Sequence, residues 1–409
     1  MKVLYVVGTC LTRNTSANMS HNGYVQGLLE NGCEVDILMA KSSWGQEDKE
    51  LPIWKEATYY TFDSENFKSK LQKKFTHTNL KKSSNTVSTT AQLDQVTTKL
   101  SLKTTLRKFL KKIFYIIFPN DALYPLEKVW IQNAIAFKNK KHYDLVISNS
   151  SPTASHRMVE ELIKKKHIFY TRWIQIWEDP WFSDLYGKHK DNIKEEEHRL
   201  LQIASEVYYV SPLTLHYQKQ LFPDCANKLK CIPLPALQYE NKVVSRITSK
   251  SINYGYFGDY YKVTRNLQPF YDALVASDEN GKIYGDTDLN LKSTEKIVVK
   301  SRVTLDILAI VQANTDVLVH LCNLRGGQIP GKIYHYSVTK KPILFILDGS
   351  EEEIKLLKKY FAKYNRYIFC ENNMQSIMNA MKYIKVNFYK MQYNAIEDFK
   401  PQQVVKQIL

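Results

Sequence analysis

Lys332 sits in the stretch of this sequence whose residue types and spacing point most clearly to chemistry. The stretch is Ile329-Pro330-Gly331-Lys332-Ile333-Tyr334-His335-Tyr336, with Lys341-Pro342-Ile343-Leu344 just beyond. Before it come an apolar run, Asp316-Val317-Leu318-Val319-His320-Leu321, and a loop containing Gly326-Gly327. The pattern predicts a buried strand, a Gly-rich loop, a helix from near Gly331 to about Val338, and a second strand over residues 342–347. A helix entered from such a loop presents free backbone N–H groups and a positive dipole end, and Lys332 adds a full charge. That chemistry suits a phosphate or diphosphate at the C-terminal end of a parallel strand. An ordinary strand–turn–helix with a surface lysine gives the same local pattern, so the rest of the chain has to decide.

The elements that must position these residues alternate along the chain. Residues 2–8 read as a strand, 9–20 as a polar loop, about 18–29 as a helix ending at Asn31-Gly32, and 34–39 as a second strand. Residues 143–148 form a strand that ends in Asn149-Ser150-Ser151-Pro152-Thr153, and a helix runs from 154 to about 165. A strand region over 167–177 ends in Glu178-Asp179-Pro180-Trp181; strands at 206–211 and 228–233 follow, with a helix to about 221 between them. Further strands read at 252–258, 282–285, 297–300 and 316–321, with a helix over 304–314 and another opening at Arg265-Asn266-Leu267. This alternation predicts an α/β protein of right-handed βαβ units and parallel sheets.

A chain of 409 residues with 44% hydrophobic content can fill two cores of ordinary size. No run of 18 or more apolar residues occurs, so no spanning helix is predicted. Met1–Gly8 lacks a small-residue cleavage site and reads as a strand, not a signal peptide. Cysteines 10, 33, 225, 231, 322 and 370 form no Cys-x-x-Cys pair, which argues for reduced thiols in the cytoplasm and against a zinc ribbon. The net charge is +16, and it is concentrated: residues 68–112 hold twelve Lys or Arg and one acid, Asp94. Residues 64–118 read as a basic insertion, rich in Ser, Thr, Lys and Gln, without clear periodicity over 76–99. At its end Leu102, Leu106, Phe109, Leu110, Ile113 and Ile117 share a helical face, with Arg107, Lys108, Lys111 and Lys112 opposite. A basic amphipathic helix of this kind suits an anionic membrane surface; a core helix with a solvated basic face is the plainer reading. No nucleic-acid module accompanies the charge, so nucleic acid is not an expected partner.

The stretch around Lys332 resembles the PGKxxEY…KPIL signature of bacterial glycosyltransferases of the GT-B fold, family 4 group. These are nucleotide-sugar enzymes of capsule, exopolysaccharide and O-antigen synthesis. His335 stands where that family has a Glu that bonds the ribose hydroxyls, and Gly327 stands near the position of an earlier family acid. A His offers one ring nitrogen per side, and its charge varies with pH. The first 40 residues resemble the family opening LxxxGHEVxVL, with Cys33 where His is frequent. Tyr143-Asp144-Leu145-Val146-Ile147-Ser148 with Ser150 and Pro152, then Glu178-Asp179-Pro180-Trp181, resembles the YDxIxSxxPP…RDPW pattern of one subgroup. Pro119-Asn120-Asp121 with Glu127 and Trp130 matches the same subgroup. Gly258 with Arg265-Asn266 resembles the YxGxxxxxRN donor loop. The resemblance covers about 1–40, 119–235 and 250–348.

The resemblance implies two Rossmann-like domains facing a central cleft, the GT-B architecture. An N-terminal acceptor domain would span 1–235, a linker 236–250 and a nucleotide-sugar domain 251–375, with helices of 376–409 crossing back onto the first domain. It implies a retaining, metal-independent hexosyltransferase-like enzyme with no cofactor beyond its nucleotide-sugar donor, UDP- or GDP-linked. The acceptor would be a glycan, lipid-linked, at the inner face of the cytoplasmic membrane. Donor contacts would come from Gly258, Arg265, Arg302, Val303, Gly331, Lys332, Tyr334 and His335. Gly258 would let the backbone approach the diphosphate, and Arg265 and Lys332 would neutralise the leaving group. Asp179 and Glu178 are the candidate acceptor-side carboxylates, with His156 and His21 also considered as bases. Asp286-Thr287-Asp288 has metal-motif spacing but reads as a turn, so no metal site is expected. Two other readings of the same fold stay open: a degenerate sugar-nucleotide binder or scaffold, and a nucleotide-sugar 2-epimerase. No Gly-x-Ser-x-Gly elbow supports a hydrolase.

Overall fold

The computed structural model describes residues 1–41, 47–65, 123–124, 127–185, 187, 189–237 and 251–409. The stretch carrying Arg107, Lys108, Lys111 and Lys112, and linker residues 238–250, lie outside the described residues.

Two parallel sheets organise the chain. The first contains β1 (Lys2–Val7), β2 (Glu34–Ala40), β3 (Thr58–Phe62), β4 (His142–Ser150), β5 (Phe169–Trp177), β6 (Glu206–Tyr209) and β7 (Leu229–Cys231), in the order β3-β2-β1-β4-β5-β6-β7. Its helices are α1 (Ser16–Glu30), α2 (Lys128–Ala134), α3 (Ala154–Lys164), α4 (Asp191–Ile203) and α5 (Pro212–Leu221). The second contains β8 (Asn253–Phe257), β9 (Asn280–Tyr284), β10 (Ile297–Lys300), β11 (Val317–Leu321), β12 (Ile343–Leu347) and β13 (Tyr367–Glu371), in the order β10-β9-β8-β11-β12-β13. Its helices are α6 (Gln268–Val275), α7 (Leu305–Ala313), α8 (Lys332–Ser337), α9 (Glu351–Ala362) and α10 (Met374–Asn387), and α11 (Pro401–Lys406) closes the chain. These are two Rossmann-like domains, as the sequence leads one to expect.

The strands are apolar on both faces because helices cover both. Along β1, Val3, Tyr5 and Val7 enter one core while Leu4 and Val6 enter another. Along β12, Ile343, Phe345 and Leu347 share the core of Val3, Tyr5 and Val7, whereas Leu344 and Ile346 face a core confined to the second domain. One apolar core therefore runs through the domain junction. Each aliphatic side chain fully buried there contributes about 1.5–3 kcal/mol before entropy is counted.

Caps set the helix that leads out of β1. Thr15 Oγ1 accepts from Asn18 N at 3.1 Å, and the chain leaves α1 at Asn31 and Gly32, the latter at φ +75. The tail divides. Helix α10 packs against α6 and β13 of its own domain, while α11 crosses to α1 of the first. Gly27 allows that crossing, since a Cβ there would lie 2.2 Å from the Pro401 carbonyl oxygen. Of the segment 376–409, then, only the end reaches the N-terminal domain; the apolar face of α10, with Ile377, Met381 and Ile384, belongs to the second core.

Candidate functional site

Charged and flexible residues gather where the C-terminal ends of the two sheets meet. On the second-domain side, β8 and β9 end in Gly258 and Gly285. A Cβ on Gly285 would fall 1.9 Å from the Gly258 carbonyl oxygen, so the two strand ends can close together only with glycine there. Above Gly258 the space is open: a Cβ would meet nothing nearer than Tyr256 Oη at 3.8 Å and Lys332 Cε at 4.0 Å. Lys332 is half-buried. Its ammonium forms no hydrogen bond or ion pair with any described residue. Burial first, and then the Arg302 charge, push its pKa down to about 8, with Asp259 opposing.

The two arginines differ in their commitments. Arg302 is exposed and bound to Asp259, through Nε at 2.8 Å and a second bond from Nη2, with Asp286 at 3.5 Å. Burial would raise the Asp259 carboxyl, but the Arg302 bonds and the Asp286 N–H hold it below its ordinary value. Arg265 is fixed by uncharged acceptors: Nε and Nη2 donate to Asn323 Oδ1 at 3.0 and 2.8 Å, and Nη1 to the Asp259 carbonyl at 3.0 Å. Its charge therefore stays available. Val303 and His335 are half-buried. Burial and the Lys332 charge one turn away lower His335 to about 4, so its imidazole is neutral near pH 7. Asp286 N bonds Asp259 Oδ1 at 3.0 Å and Asp288 Oδ1 accepts from Lys262 N at 2.9 Å, which is turn chemistry.

Two expectations need correction here. Helix α8 has only six residues, and its early amides are already used: Ile333 N bonds the Pro330 carbonyl at 3.3 Å and Tyr334 N the Gly331 carbonyl at 3.2 Å. The positive charge at this point is therefore the Lys332 ammonium, not a helix dipole. Tyr334 does not line the open cleft. It is fully buried, packs on Phe361 and Phe399, and donates from its hydroxyl to the Val210 carbonyl at 3.1 Å, across the domain junction. Gly331 likewise packs toward the first domain, where a Cβ would meet Leu234 Cδ1 at 2.9 Å.

On the first-domain side, β5 delivers Glu178 and Asp179. Glu197 of α4 holds the loop that follows, accepting from Trp181 N at 3.2 Å and Phe182 N at 2.7 Å. Asp179 is exposed to solvent, although protein stands on both sides of it. That crowding first, and then Asp184, push its carboxyl up to about 6, with Gln328 opposing; water at the side chain limits the desolvation. Glu178 is buried, and its Oε1 has no hydrogen-bond partner. Burial and then Asp179 push it well above the ordinary carboxylate range. His21 lies 3.6 Å from Glu178, accompanied by Tyr5 Oη at 3.1 Å and the Ser151 carbonyl at 3.2 Å, and burial lowers it to about 4. His156 is occupied elsewhere: it bonds Ser148 Oγ at 2.8 Å, stacks on Trp177 and is lowered to about 3, so it is a core residue.

The fold thus brings Gly258, Arg265, Lys332 and His335 to one wall, and Glu178 and Asp179 to the other. Asn323, Gln328, Asp184, Glu197 and Asp259 complete the arrangement and were not readable as site residues. For Asn323 and Gln328, the Gly326-Gly327 loop marks the neighbourhood in the sequence. Among the described residues, one group brings metal-ligating atoms together: His198, Asp224 and Cys225, within 4.8 Å of one another. It lies before the start of β7, at the opposite ends of the parallel strands from Asp179, and its atoms hydrogen-bond one another.

No protein-family model matches the sequence, and no curated protein sequence matches it. Solved structures do match in shape. A glycosyltransferase from Rickettsia africae superposes with a TM-score of 0.55 at 11% identity, over 100% of this chain and 96% of that one. The lipopolysaccharide outer core galactosyltransferase WaaB, in its apo form, does so with a TM-score of 0.50 at 12% identity, over 100% and 98%. The fold is GT-B. The E. coli trehalose-6-phosphate protein bound with UDP-2-fluoro glucose also aligns, with a TM-score of 0.50 at 10% identity over 100% and 95%. In this GT-B chain the cleft lies at the C-terminal ends of both sheets, where open α/β sheets bind ligands. No described helix is long and apolar enough to cross a membrane.

Proposed function

We propose that this chain is a glycosyltransferase that moves a sugar from a nucleoside-diphosphate sugar to a glycan hydroxyl. The observation that carries the reading is Lys332, a half-buried cation with no partner among the described residues, facing the open space over Gly258 in a GT-B cleft. An ammonium removed from water without a carboxylate is unfavourable unless a ligand anion completes it. As the sugar–phosphate bond breaks, negative charge grows on the departing diphosphate, and Lys332 and Arg265 stabilise it. Across the cleft Asp179 takes the proton of the acceptor hydroxyl, with its pKa poised near working pH. Retention of configuration and independence of metal belong to the reading through the sequence resemblance. UDP or GDP is the expected nucleotide of the donor, and the UDP-2-fluoro glucose bound by the E. coli neighbour favours UDP. A lipid-linked acceptor in surface polysaccharide synthesis fits the basic stretch at Arg107, Lys108, Lys111 and Lys112, which would hold the protein to the inner face of the cytoplasmic membrane. Changing those four residues to Gln should abolish salt-sensitive binding to anionic liposomes.

A second reading has its own observation. His335 is neutral, and Gly327 uses its carbonyl to hold Ser211 and Thr214, so neither supplies a carboxylate to the donor. A protein that binds sugar nucleotides without turning them over would show this. Calorimetric titration with UDP, GDP, ADP and CMP, followed by assay of nucleotide release from the matching sugars, separates the readings. Binding with release supports the transferase, binding without release supports the non-catalytic binder, and no binding rejects both.

A further inference from the structure

The loop between β11 and α8 joins the two walls of the cleft through one amide side chain. Gln328 Nε2 donates to Asp179 Oδ1 at 2.6 Å and to Asp184 Oδ1 at 3.1 Å, both in the first domain. The Gln328 carbonyl accepts from Asn323 Nδ2 at 3.1 Å. Asn323 Oδ1 in turn receives both Nε and Nη2 of Arg265. The backbone beside Gln328 is fixed from the other domain, because the Gly327 carbonyl accepts from Ser211 Oγ at 2.6 Å and Thr214 Oγ1 at 3.1 Å. Gly326 and Gly327 stand at φ +98 and +72, a turn that L side chains rarely adopt. The amide orientation follows from chemistry, since the flipped form would aim Oε1 at two carboxylates. In the orientation present, Oε1 is buried without a partner. The fold tolerates that unmet acceptor and keeps both Nε2 bonds.

We propose that Gln328 is a positioning residue that ties the acceptor-side carboxylate Asp179 to the donor-side cation Arg265 across the cleft. This rests on the functional reading above. The groups facing Asp179 are Glu178 and Asp184 from its own loop and Gln328 from the second domain; among the described residues no cation pairs with it. Without the amide, Asp179 loses the hydrogen bond that favours its charged form, and it holds its proton to higher pH. A donor diphosphate that draws on Arg265 shifts Asn323, and through the 323–328 backbone it reaches Gln328 and Asp179. The acceptor-side carboxylate is thereby set in place when the donor is bound.

The test compares the full chain with Gln328→Met, which keeps volume, and Gln328→Ala, using whichever of UDP, GDP, ADP and CMP the wild type binds. Amide hydrogen exchange over residues 178–185 should slow severalfold on nucleotide saturation in the wild type and stay unchanged in both variants. In the variants, the acid limb of nucleotide release from the sugar donor should move up by about one pH unit, which is tenfold in rate on that limb. Nucleotide binding that leaves exchange over 178–185 unaffected in the wild type, or affects it equally in the variants, overturns the inference alone. Failure of the wild type to bind any of the four nucleotides overturns the functional reading, and this inference with it.

Discussion

On the second-domain wall of the cleft, the free charges are cations held by neutral groups: Arg265 on an Asn oxygen and a carbonyl, Lys332 on no described partner. On the first-domain wall the open charge is a carboxylate, Asp179, bonded to the neutral Gln328, while Glu178 beside it is buried and held well above the ordinary carboxylate range. Among the described residues, Lys332, Arg265 and Asp179 have no ion-pair partner. In a structural ion-pair network the two walls would have been paired with each other, as Arg302 is with Asp259 in the same domain. On the proposed reading, keeping them apart would reserve cations for an anionic leaving group on one side and a proton acceptor on the other.

The largest effect that would break this comparison is on turnover. Asp179→Asn should lower sugar transfer by about 10²–10⁴-fold while nucleotide affinity stays within twofold, as measured by nucleotide release and calorimetry. Equal turnover would remove Asp179 from the chemistry. Next comes pH. Transfer should rise as Asp179 ionises through about 6, and nucleotide affinity should fall as Lys332 deprotonates above about 8. The activity window then lies between them, and a flat profile across pH 5–9 contradicts both assignments. Smaller still is Arg302→Ala. Because that side chain is exposed and already ion-paired, nucleotide affinity should change by less than about threefold. A larger loss would mean that the ion pair opens to take the ligand.

The least local prediction concerns stability. His21, His156 and His320 are buried and lowered to about 4, 3 and 3, so the unfolded chain binds protons at these sites that the folded chain does not. Below the unfolded value near 6.5, stability should fall as pH drops, each histidine contributing on the order of 1 kcal/mol per pH unit. Urea midpoints between pH 7 and pH 5 read this directly.

How much of this the sequence disclosed depended on how local the cause was. Both sheets followed from apolar runs such as Val317–Leu321 and Ile343–Leu347, because strands buried on both faces must be apolar throughout. Edge strand β3, Thr-Tyr-Tyr-Thr-Phe, was missed because half of it faces solvent and its pattern is weak. Helix α9 was legible but went unread: Ser350 and Glu353 form a capping box in the structure. Lys332, Arg265 and Gly258 sit in short motifs at strand ends and could be singled out. Gln328 could not, because its meaning is Asp179, distant in sequence and adjacent only after the domains close. Tyr334 misled for the same reason: Lys332 in the same motif faces the cleft, while the Tyr334 side chain turns into the domain junction.

The most direct test of the account is calorimetric titration of the wild type and of Lys332→Ala with the same nucleoside diphosphate at pH 7. If the unpartnered ammonium holds the diphosphate, the wild type binds and the variant loses about 10–100-fold in affinity, the value of a charge-assisted bond. Equal affinity in the two proteins would contradict the account, because Lys332 would then be a cation that the cleft does not use.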